Sequence, residues 1–238
     1  MNKAIVLGAT GATGQVIVSE LLARGVDVIA FGRSETKLKA LIEKHQLNKQ
    51  LSYKLGDLFD YQTIIDAAED AEVIFTCAGV AYQEMEEKLS LLGESVMKAA
   101  HILGRKIVIV DGIYVYGYQS RKGDENHPKQ PHTKKGKLRV AFEDLIFSTK
   151  WKNASPLIVR LPDYYGITSQ NAYLQPTLEG MATHKVSIFI GDLKTPREYV
   201  YLPDAAKMIV NIAERDDAYG ENWNIPGVGL ISGKEIIQ

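Results

Sequence analysis

The chain begins with an alternation of short apolar runs and longer amphipathic segments. Residues 4–7 form an apolar run, an amphipathic segment extends to Arg24, and a second apolar run covers residues 26–31 after Gly25. Short apolar runs bounded by turn residues are typical of buried strands, and apolar residues spaced by three or four positions are typical of helices. The pattern therefore predicts a strand, a turn, a helix and a second strand.

The same alternation continues along the chain. It predicts strands at residues 51–55, 73–76, 106–110 and 157–161, separated by helices at residues 35–45, 61–68, 85–103 and 135–149. Strands that alternate with helices build a parallel sheet with helices on both faces, because each crossover is right-handed. The fold class is therefore α/β, a doubly wound parallel sheet, and its ligand is expected at the carboxyl ends of the strands.

Beyond residue 161 the alternation loosens. The later predicted elements are a helix at residues 175–181, short strands at 186–190 and 198–201, a helix at 204–214 and a short strand at 223–225. We expect two parts. Residues 1–165 form a nucleotide-binding core, and residues 166–238 form a small C-terminal lobe that is interleaved with the core.

Two segments carry local signals. Residues 118–134 are polar and contain one glycine and two prolines, which predicts a loop. Ser232 and Glu235 have the spacing of a capping box, which predicts a helix start close to Gln238. Because that helix would be cut short, we expect the protein to have lost a C-terminal segment, with a short terminal turn as the alternative.

Composition excludes several classes of protein. Hydrophobic residues make up 45% and charged residues 24% of the chain, as in ordinary globular proteins, and the formal net charge of −1 gives no footprint for nucleic acid or an anionic membrane. The sequence holds neither a bilayer-spanning apolar run nor paired histidines with metal-ligand spacing. The single cysteine, Cys77, excludes an internal disulfide and favours a reducing compartment, so we expect a cytoplasmic protein.

Three glycines, Gly8, Gly11 and Gly14, stand between the first predicted strand and helix. Gly8 allows a sharp turn off the strand, Gly11 lets backbone amides approach a phosphate, and Gly14 lets the helix pack closely against the sheet. The unpaired amides and the positive dipole end of the helix would then face an anion. This context predicts a dinucleotide site with its pyrophosphate at the helix N-terminus, the alternative being a structural turn without a ligand.

Arg33 ends the second predicted strand, at the position that decides between two dinucleotides. NAD sites place an acidic residue here for the ribose 2′-hydroxyl, whereas an arginine accommodates the 2′-phosphate of NADP. Asp27 lies at the opposite end of the same strand. We therefore expect NADP(H) as the cofactor in preference to NAD(H), the alternative being a solvated surface arginine.

The G-x-x-G-x-x-G spacing, with Thr10 before its second glycine, resembles the short-chain dehydrogenase/reductase superfamily, especially its extended and atypical branches of the epimerase/dehydratase type. In that family an Asp-Leu pair after the third strand lies by the adenine, and small residues after the fourth strand lie by a ribose. The resemblance implies a Rossmann fold with cofactor contacts at Gly8, Thr10, Gly11, Ala12, Thr13, Gly14, Arg33, Asp57, Leu58, Cys77, Ala78, Gly79, Arg139 and Leu161. Packing is the alternative role for Cys77, and a turn is the alternative for Asp57.

Four later segments extend the resemblance over nearly the whole chain. They are residues 111–117 (DGIYVYG), 131–143 (PHTKKGKLRVAFE), 161–166 (LPDYYG, with Arg160 one place ahead) and 197–204 (REYVYLPD). The last segment places Arg197 where family members have an arginine that clamps a substrate phosphate, and an arginine–glutamate surface pair is the alternative. Asp163 is the other expected substrate contact.

The resemblance fails at the catalytic centre. In the family a Tyr-x-x-x-Lys pair transfers the proton and a Ser or Thr orients the substrate oxygen. Here Lys135 stands at the tyrosine position, Arg139 at the lysine position, and Gly112 at the serine position. The candidate catalytic residues that remain are Asp111, Tyr114 and Lys135. Lys135 could act as a base only if burial lowered its pKa. Other open candidates are Asp163, Tyr116, Tyr164 and Tyr165, of which Tyr116 and Tyr165 fill family positions that are usually structural.

Two functions from different classes follow from these observations. The first is an NADP(H)-dependent oxidoreductase or epimerase-type enzyme that acts on a small oxygenated metabolite. The second is a non-catalytic NADP(H) sensor, a role that loss of the Tyr-Lys pair would permit. The expected partner is a small molecule and neither nucleic acid nor a membrane. The apolar faces of residues 85–103 and 135–149 could form a homodimer seam, or they could pack on the sheet.

Overall fold

The structure is a computed structural model that describes residues 1–119, 123–169 and 173–238. Within them a seven-stranded parallel sheet has the strand order β3-β2-β1-β4-β5-β6-β9. Its strands are β1 (Lys3–Leu7), β2 (Asp27–Gly32), β3 (Leu51–Leu55), β4 (Val73–Thr76), β5 (Lys106–Gly112), β6 (Ser155–Leu161) and β9 (Asn222–Asn224). The order reverses between β1 and β4, so the crevice beside β1 is the expected binding position for this fold class.

Helices cover both faces of the sheet. They are α1 (Ala12–Ala23), α2 (Glu35–Lys44), α3 (Tyr61–Ala68), α4 (Met85–Leu103), α5 (Lys134–Ile146), α6 (Gln175–Ala182), α7 (Leu202–Ala213) and α8 (Gly233–Ile236). Buried apolar residues of α1, α2 and α7 form the core on one face, and those of α3, α4 and α5 form the core on the other. The predicted doubly wound α/β fold is therefore confirmed.

A second, three-stranded sheet forms the small lobe. It has the order β10-β8-β7, with β7 at Asp163–Tyr165, β8 at Arg197–Tyr201 and β10 at Leu230–Ile231. The lobe is interleaved with the core in two ways. The helix α7 packs against α1, and β9, which lies between β8 and β10 in sequence, pairs with β6 at the edge of the large sheet.

Most predicted elements occur within two residues of their expected bounds, but two predictions were wrong. Residues 186–190 are not a strand: the Ile188 carbonyl accepts a hydrogen bond from the Thr177 hydroxyl (2.6 Å), and the Phe189 ring packs against Gly233. Those contacts draw the segment onto α6 and α8 and away from any sheet edge. The α5 helix ends at Ile146 and not at 149. The strand β7 was not predicted at all.

The helix faces proposed for a dimer seam are packed within the chain. Gly93 of α4 lies so close to α5 that an added Cβ would be 2.8 Å from the Phe142 ring. Leu89, Leu92 and Ile146 are buried in the core on the same face. The apolar faces are therefore used inside the chain, as the alternative to a dimer seam had predicted. A homodimer stays a prediction. In the described residues no helix is both long enough and apolar enough to cross a membrane.

One fully buried cation joins three elements of the core. Arg160 of β6 has no exposed surface, and its Nη2 donates to Glu143 Oε2 of α5 (2.6 Å) while Nη1 donates to Asn222 Oδ1 of β9 (3.0 Å). The other Glu143 oxygen accepts from Lys129 Nζ at 2.5 Å. A buried charge without its partner is strongly unfavourable, so this network fixes how α5 and β9 meet the sheet.

We expect Arg160→Leu to lower the free energy of unfolding by about 3–5 kcal/mol, because it leaves Glu143 buried without its main counter-charge. The measurement is urea unfolding followed by circular dichroism. Lys207→Met is the matched control: its ion pair with Asp204 is more than half exposed on both sides and should contribute less than about 1 kcal/mol. Equal losses in the two variants would contradict the structural role given to Arg160.

Candidate functional site

The turn between β1 and α1 brings three pieces of backbone into close contact. Gly8 has a φ of +78°, and an added Cβ there would lie 2.9 Å from the Ala78 backbone after β4. A Cβ at Gly14 would lie only 2.3 Å from the Gly8 carbonyl oxygen. Because neither position has room for a side chain, α1 can begin directly beyond the carboxyl edge of the sheet.

The start of α1 is open to a ligand. Gly11 is its N-cap, is exposed, and provides no side chain to satisfy the amides of the first turn. Ala12, Thr13 and Gly14 form that turn, and an added Cβ on the exposed Gly79 would meet no protein atom within 4 Å. Unsatisfied amides at a positive helix end, with free space in front of them, fit a pyrophosphate.

Arg33 lies at the end of β2, exposed, and its guanidinium has no hydrogen-bond or ion-pair partner in the part of the chain that the structure describes. Ser34 is the N-cap of α2 and accepts from the Lys37 amide. The nearest carboxylate in sequence, Glu35, is bound by Lys39 Nζ (2.9 Å) and by the Tyr53 hydroxyl (3.3 Å). The free group at this corner is therefore a cation.

The residues expected near the adenine and ribose occupy the turns after β3 and β4. Asp57 Oδ1 accepts from the Phe59 amide (3.1 Å), so one oxygen has the turn role given as its alternative. Leu58 is half-buried against the core. Burial raises the pKa of the Cys77 thiol, which keeps the thiol protonated and agrees with a packing role rather than a nucleophilic one.

Two of the unusual catalytic-centre residues form an ion pair. Arg139 Nη1 of α5 donates to Asp111 Oδ1 at the end of β5, at 2.5 Å, and the Asp111 side chain is fully buried. Asp111 Oδ2 and Arg139 Nε are buried without a hydrogen-bond partner in the described structure. Asp111 is thus a buried counter-ion of Arg139.

Lys135 and Tyr114 occupy the centre of this site together. Lys135 Nζ lies 3.3 Å from the centroid of the Tyr114 ring, a cation–π contact. The same ring covers Gly112, where an added Cβ would be 2.7 Å from it. Gly112 was the position of the missing serine, so the tyrosine ring fills the space that a serine side chain would need.

The two groups differ in the direction of their pKa shifts. Burial raises the pKa of Tyr114, and the charge of Asp163 raises it further. Burial lowers the pKa of Lys135, and the charge of Arg139 lowers it further, against smaller opposing effects of Asp163 and Asp111. The lysine therefore moves toward neutral pH, where a proton-transfer group is most effective, and the tyrosine moves away from it.

The strand β7 connects this site to the glycine turn and to the lobe. Tyr164 hydrogen-bonds with the Thr13 hydroxyl of α1, and Thr168 Oγ1 donates to the Ala12 carbonyl (3.0 Å). Leu161, just before β7, is buried and pairs in register with Gly112. The sequence did not single out the Thr13–Tyr164 contact, because β7 is too short to show a strand period.

Arg197 is the first residue of β8, in the lobe. Its guanidinium packs on Gly191, where an added Cβ would be 2.8 Å from Nη2, and it has no ion-pair partner among residues 1–119, 123–169 and 173–238. The alternative pair with a neighbouring glutamate is not formed: Glu198 accepts from the Gly227 amide instead (2.9 Å). Arg197 is thus available to an anion.

The remaining tyrosine candidates have packing roles. Tyr116 is almost fully buried and donates to Asn224 Oδ1 (2.9 Å), a structural role. The Tyr165 ring lies 5.4 Å from that of Tyr201 inside the lobe. No group of three metal-binding side chains occurs in the described ranges. Thr10, whose carbonyl accepts from Gln15 Nε2 (3.2 Å), lies within the glycine turn.

Comparisons with known proteins agree with this geometry. The family model for the NAD dependent epimerase/dehydratase family matches residues 4–226. UDP-glucuronic acid 4-epimerase from Bacillus cereus, solved with UDP-glucuronic acid and NAD, is 20% identical with a TM-score of 0.83, covering 99% of this chain and 81% of that one. The dTDP-glucose 4,6-dehydratase from Bacillus anthracis, solved with NAD, is 17% identical with a TM-score of 0.84, covering 100% and 79%.

A curated protein matches a shorter segment. The 3-ketodihydrosphingosine reductase TSC10 of Debaryomyces hansenii is 32% identical over 100 residues, which are 37% of this chain and 30% of that protein. The match spans less than a third of that relative's length, and the solved structures share the fold at low identity. The family model, in contrast, covers nearly the whole chain, and the chain therefore belongs to the NAD dependent epimerase/dehydratase family.

Proposed function

We propose that this protein is an NADP(H)-dependent oxidoreductase that acts on a small oxygenated metabolite, with Lys135 as its proton-transfer group. The observation that supports this proposal is the position of Lys135: it stacks on Tyr114, next to the Asp111–Arg139 pair and Asp163, at the strand ends beside the glycine turn. Binding and proton-transfer groups thus occur at one edge of the sheet.

The dinucleotide would be held by a cradle that consists of the glycine turn, the first turn of α1 and Gly79. The first turn of α1 would bind the pyrophosphate, and Gly79 would leave room for a ribose. The bound nicotinamide supplies or accepts a hydride. The solved relatives contain NAD, and we propose NADP(H) here because the free charge at the end of β2 belongs to Arg33 while Glu35 is bound to Lys39.

Lys135 is preferred over the other two candidates on physical grounds. Asp111 is fully buried and already bound to Arg139 as its counter-ion, so it is engaged in the structure. The hydroxyl of Tyr114 is made a weaker acid by burial and by Asp163. The pKa of Lys135, in contrast, moves toward neutrality, and in its protonated form the amine donates to a substrate oxygen. Asp163 and Arg197 would contact the substrate.

A second candidate function is a non-catalytic NADP(H) sensor. One observation favours it: the cation that should contact the nicotinamide ribose, Arg139, is bound to the buried Asp111. In that case the cradle would bind the dinucleotide, while the Lys135–Tyr114 stack would only fill the site. The two candidates differ in turnover, and both require dinucleotide binding.

We expect Lys135→Met to lower kcat/KM for carbonyl reduction by about 10²- to 10⁴-fold, the usual contribution of a proton-transfer group, with NADPH affinity unchanged. The measurement follows nicotinamide absorbance with a panel of small ketones, aldehydes and UDP-glucose. Lys137→Met, an exposed lysine of the same helix, is the control. If Tyr114→Phe loses turnover while Lys135→Met keeps it, the tyrosine is the proton-transfer group. If the wild-type protein binds NADPH but turns over no substrate, the sensor function is favoured.

The pH dependence of the reaction should follow Lys135. Carbonyl reduction needs the protonated amine, so its rate should be level below the lysine pKa, which lies below the ordinary lysine range, and fall tenfold per pH unit above it. Alcohol oxidation needs the neutral amine, so its rate should rise tenfold per pH unit below the same pKa and level off above it. Steady-state kinetics in both directions check this. In Arg139→Met the lysine loses a neighbouring positive charge, so the midpoint should move to higher pH. A midpoint that does not respond would argue against Lys135.

We expect Arg33→Asp to weaken NADPH binding by about ten- to a hundredfold, because a charge-assisted contact to the 2′-phosphate is replaced by repulsion. Binding of NADH should weaken little or improve. Fluorescence titration of both reduced dinucleotides measures this. Lys49→Asp makes the same charge change at the opposite edge of the sheet, before β3, and should leave both affinities unaltered. A wild-type protein that binds NADH more tightly than NADPH would refute the proposed preference.

A further inference from the structure

A cavity of about 470 Å³ lies in the small lobe, between the three-stranded sheet and the helices beside it. Its walls include Tyr165, Leu174, Leu178, Tyr199, Ile231 and Ile236. The volume falls within the range of small-molecule sites, which are mostly apolar with few polar groups. Tyr199 is 7% exposed and Leu174 is 4% exposed, so these two wall residues are packed against the rest of the protein.

The chemistry of the lining is apolar. Among the described residues, Glu235 is the one charged side chain of the wall, and its carboxylate accepts from the Ser232 amide (2.8 Å) and hydroxyl (2.5 Å) in the capping box of α8. That carboxylate is therefore part of the helix cap. A diphosphate needs arginine, lysine or clustered amides as partners, and none of the described residues that line the wall is a cation. Arg197 lies beside the wall, because it pairs in register with Ile231, but it does not line the cavity.

The strand β7 contributes both to the cavity wall, through Tyr165, and to the candidate catalytic site, through Asp163. Asp163 and Tyr165 are two residues apart and so lie on one face of the strand, about 7 Å from each other. Asp163 pairs in register with Tyr199 of the cavity wall. Burial is the main cause that raises the pKa of Tyr199 and of Tyr114, and the charge of Asp163 raises both further, while the charge of Arg197 opposes the rise at Tyr199. One carboxylate thus lies between the cavity and the Lys135–Tyr114 stack.

We propose that this cavity binds the alkyl or aryl part of the substrate, and that the substrate class is an apolar ketone or secondary alcohol rather than a nucleotide-linked sugar. The apolar part lies among Leu178, Tyr199 and Ile231, and the oxygen function is directed past Asp163 toward Lys135. This substrate class rests on the proposed oxidoreductase function, whereas binding of an apolar group in the cavity does not require turnover.

The test uses 2-decanone and UDP-glucose as probes, titrated without cofactor and observed by saturation-transfer NMR. Wild-type protein should bind 2-decanone and not UDP-glucose. Leu178→Trp fills the cavity and should weaken 2-decanone binding at least tenfold, with NADPH affinity within twofold of wild type. Leu91→Trp, at an exposed leucine of α4, is the matched control and should change neither.

Leu178→Ala provides an independent readout that does not depend on tolerating a larger residue. It enlarges the cavity, so the methyl ketone that binds best should become longer than in the wild type. Two results would overturn the proposal. One is that UDP-glucose binds in place of 2-decanone. The other is that Leu178→Trp leaves the 2-decanone affinity unaltered and Leu178→Ala causes no shift in the preferred chain length. Absence of NADPH binding would instead refute the proposed function, and the probe titrations would still decide the cavity.

Discussion

The close contact between Gly14 and the Gly8 carbonyl is the constraint on which the site depends. Because the two backbone segments touch, α1 starts directly after the end of β1. The amides of its first turn then lie over the edge of the sheet. The same turn touches Ala78 after β4, so neighbouring strand ends are fixed together. Thr13 then contacts Tyr164 of β7. The close packing of this one turn therefore positions both the cradle and the lobe.

The second constraint is electrostatic. Lys135 and Arg139, one helical turn apart, face Asp111 and Asp163, so two cations and two carboxylates share a partly desolvated site. Arg139 is held by Asp111, and Lys135 lies over the Tyr114 ring. The Asp111–Arg139 pair thus has a structural part. Under the proposed function, the lysine at the position of the family's tyrosine would hold the labile proton.

The sequence predicted the fold well where periodicity is long and simple. Helix α4 and the strands β3 and β4 were located at their observed bounds, because long amphipathic and short apolar runs are distinct signals. It could not locate β7, which has three residues, or predict that the Tyr114 ring covers Gly112, since that contact depends on a local turn. Nor did it show Arg160 as a core residue: a single arginine in an apolar run has the same composition whether it is exposed or paired.

The position of β9 has a consequence for how the chain acquires its fold. Strand β6 is complete at residue 161, but its outer neighbour begins only at residue 222, after β7, β8 and the helices α6 and α7. During synthesis β6 therefore has an open edge of unpaired amides and carbonyls, and Arg160 lacks its Asn222 partner, while some sixty further residues are made. A contact of such large sequence separation is slow to form. Chaperone dependence and edge-to-edge aggregation of nascent chains should thus originate at β6 rather than at the glycine turn, whose contacts are local.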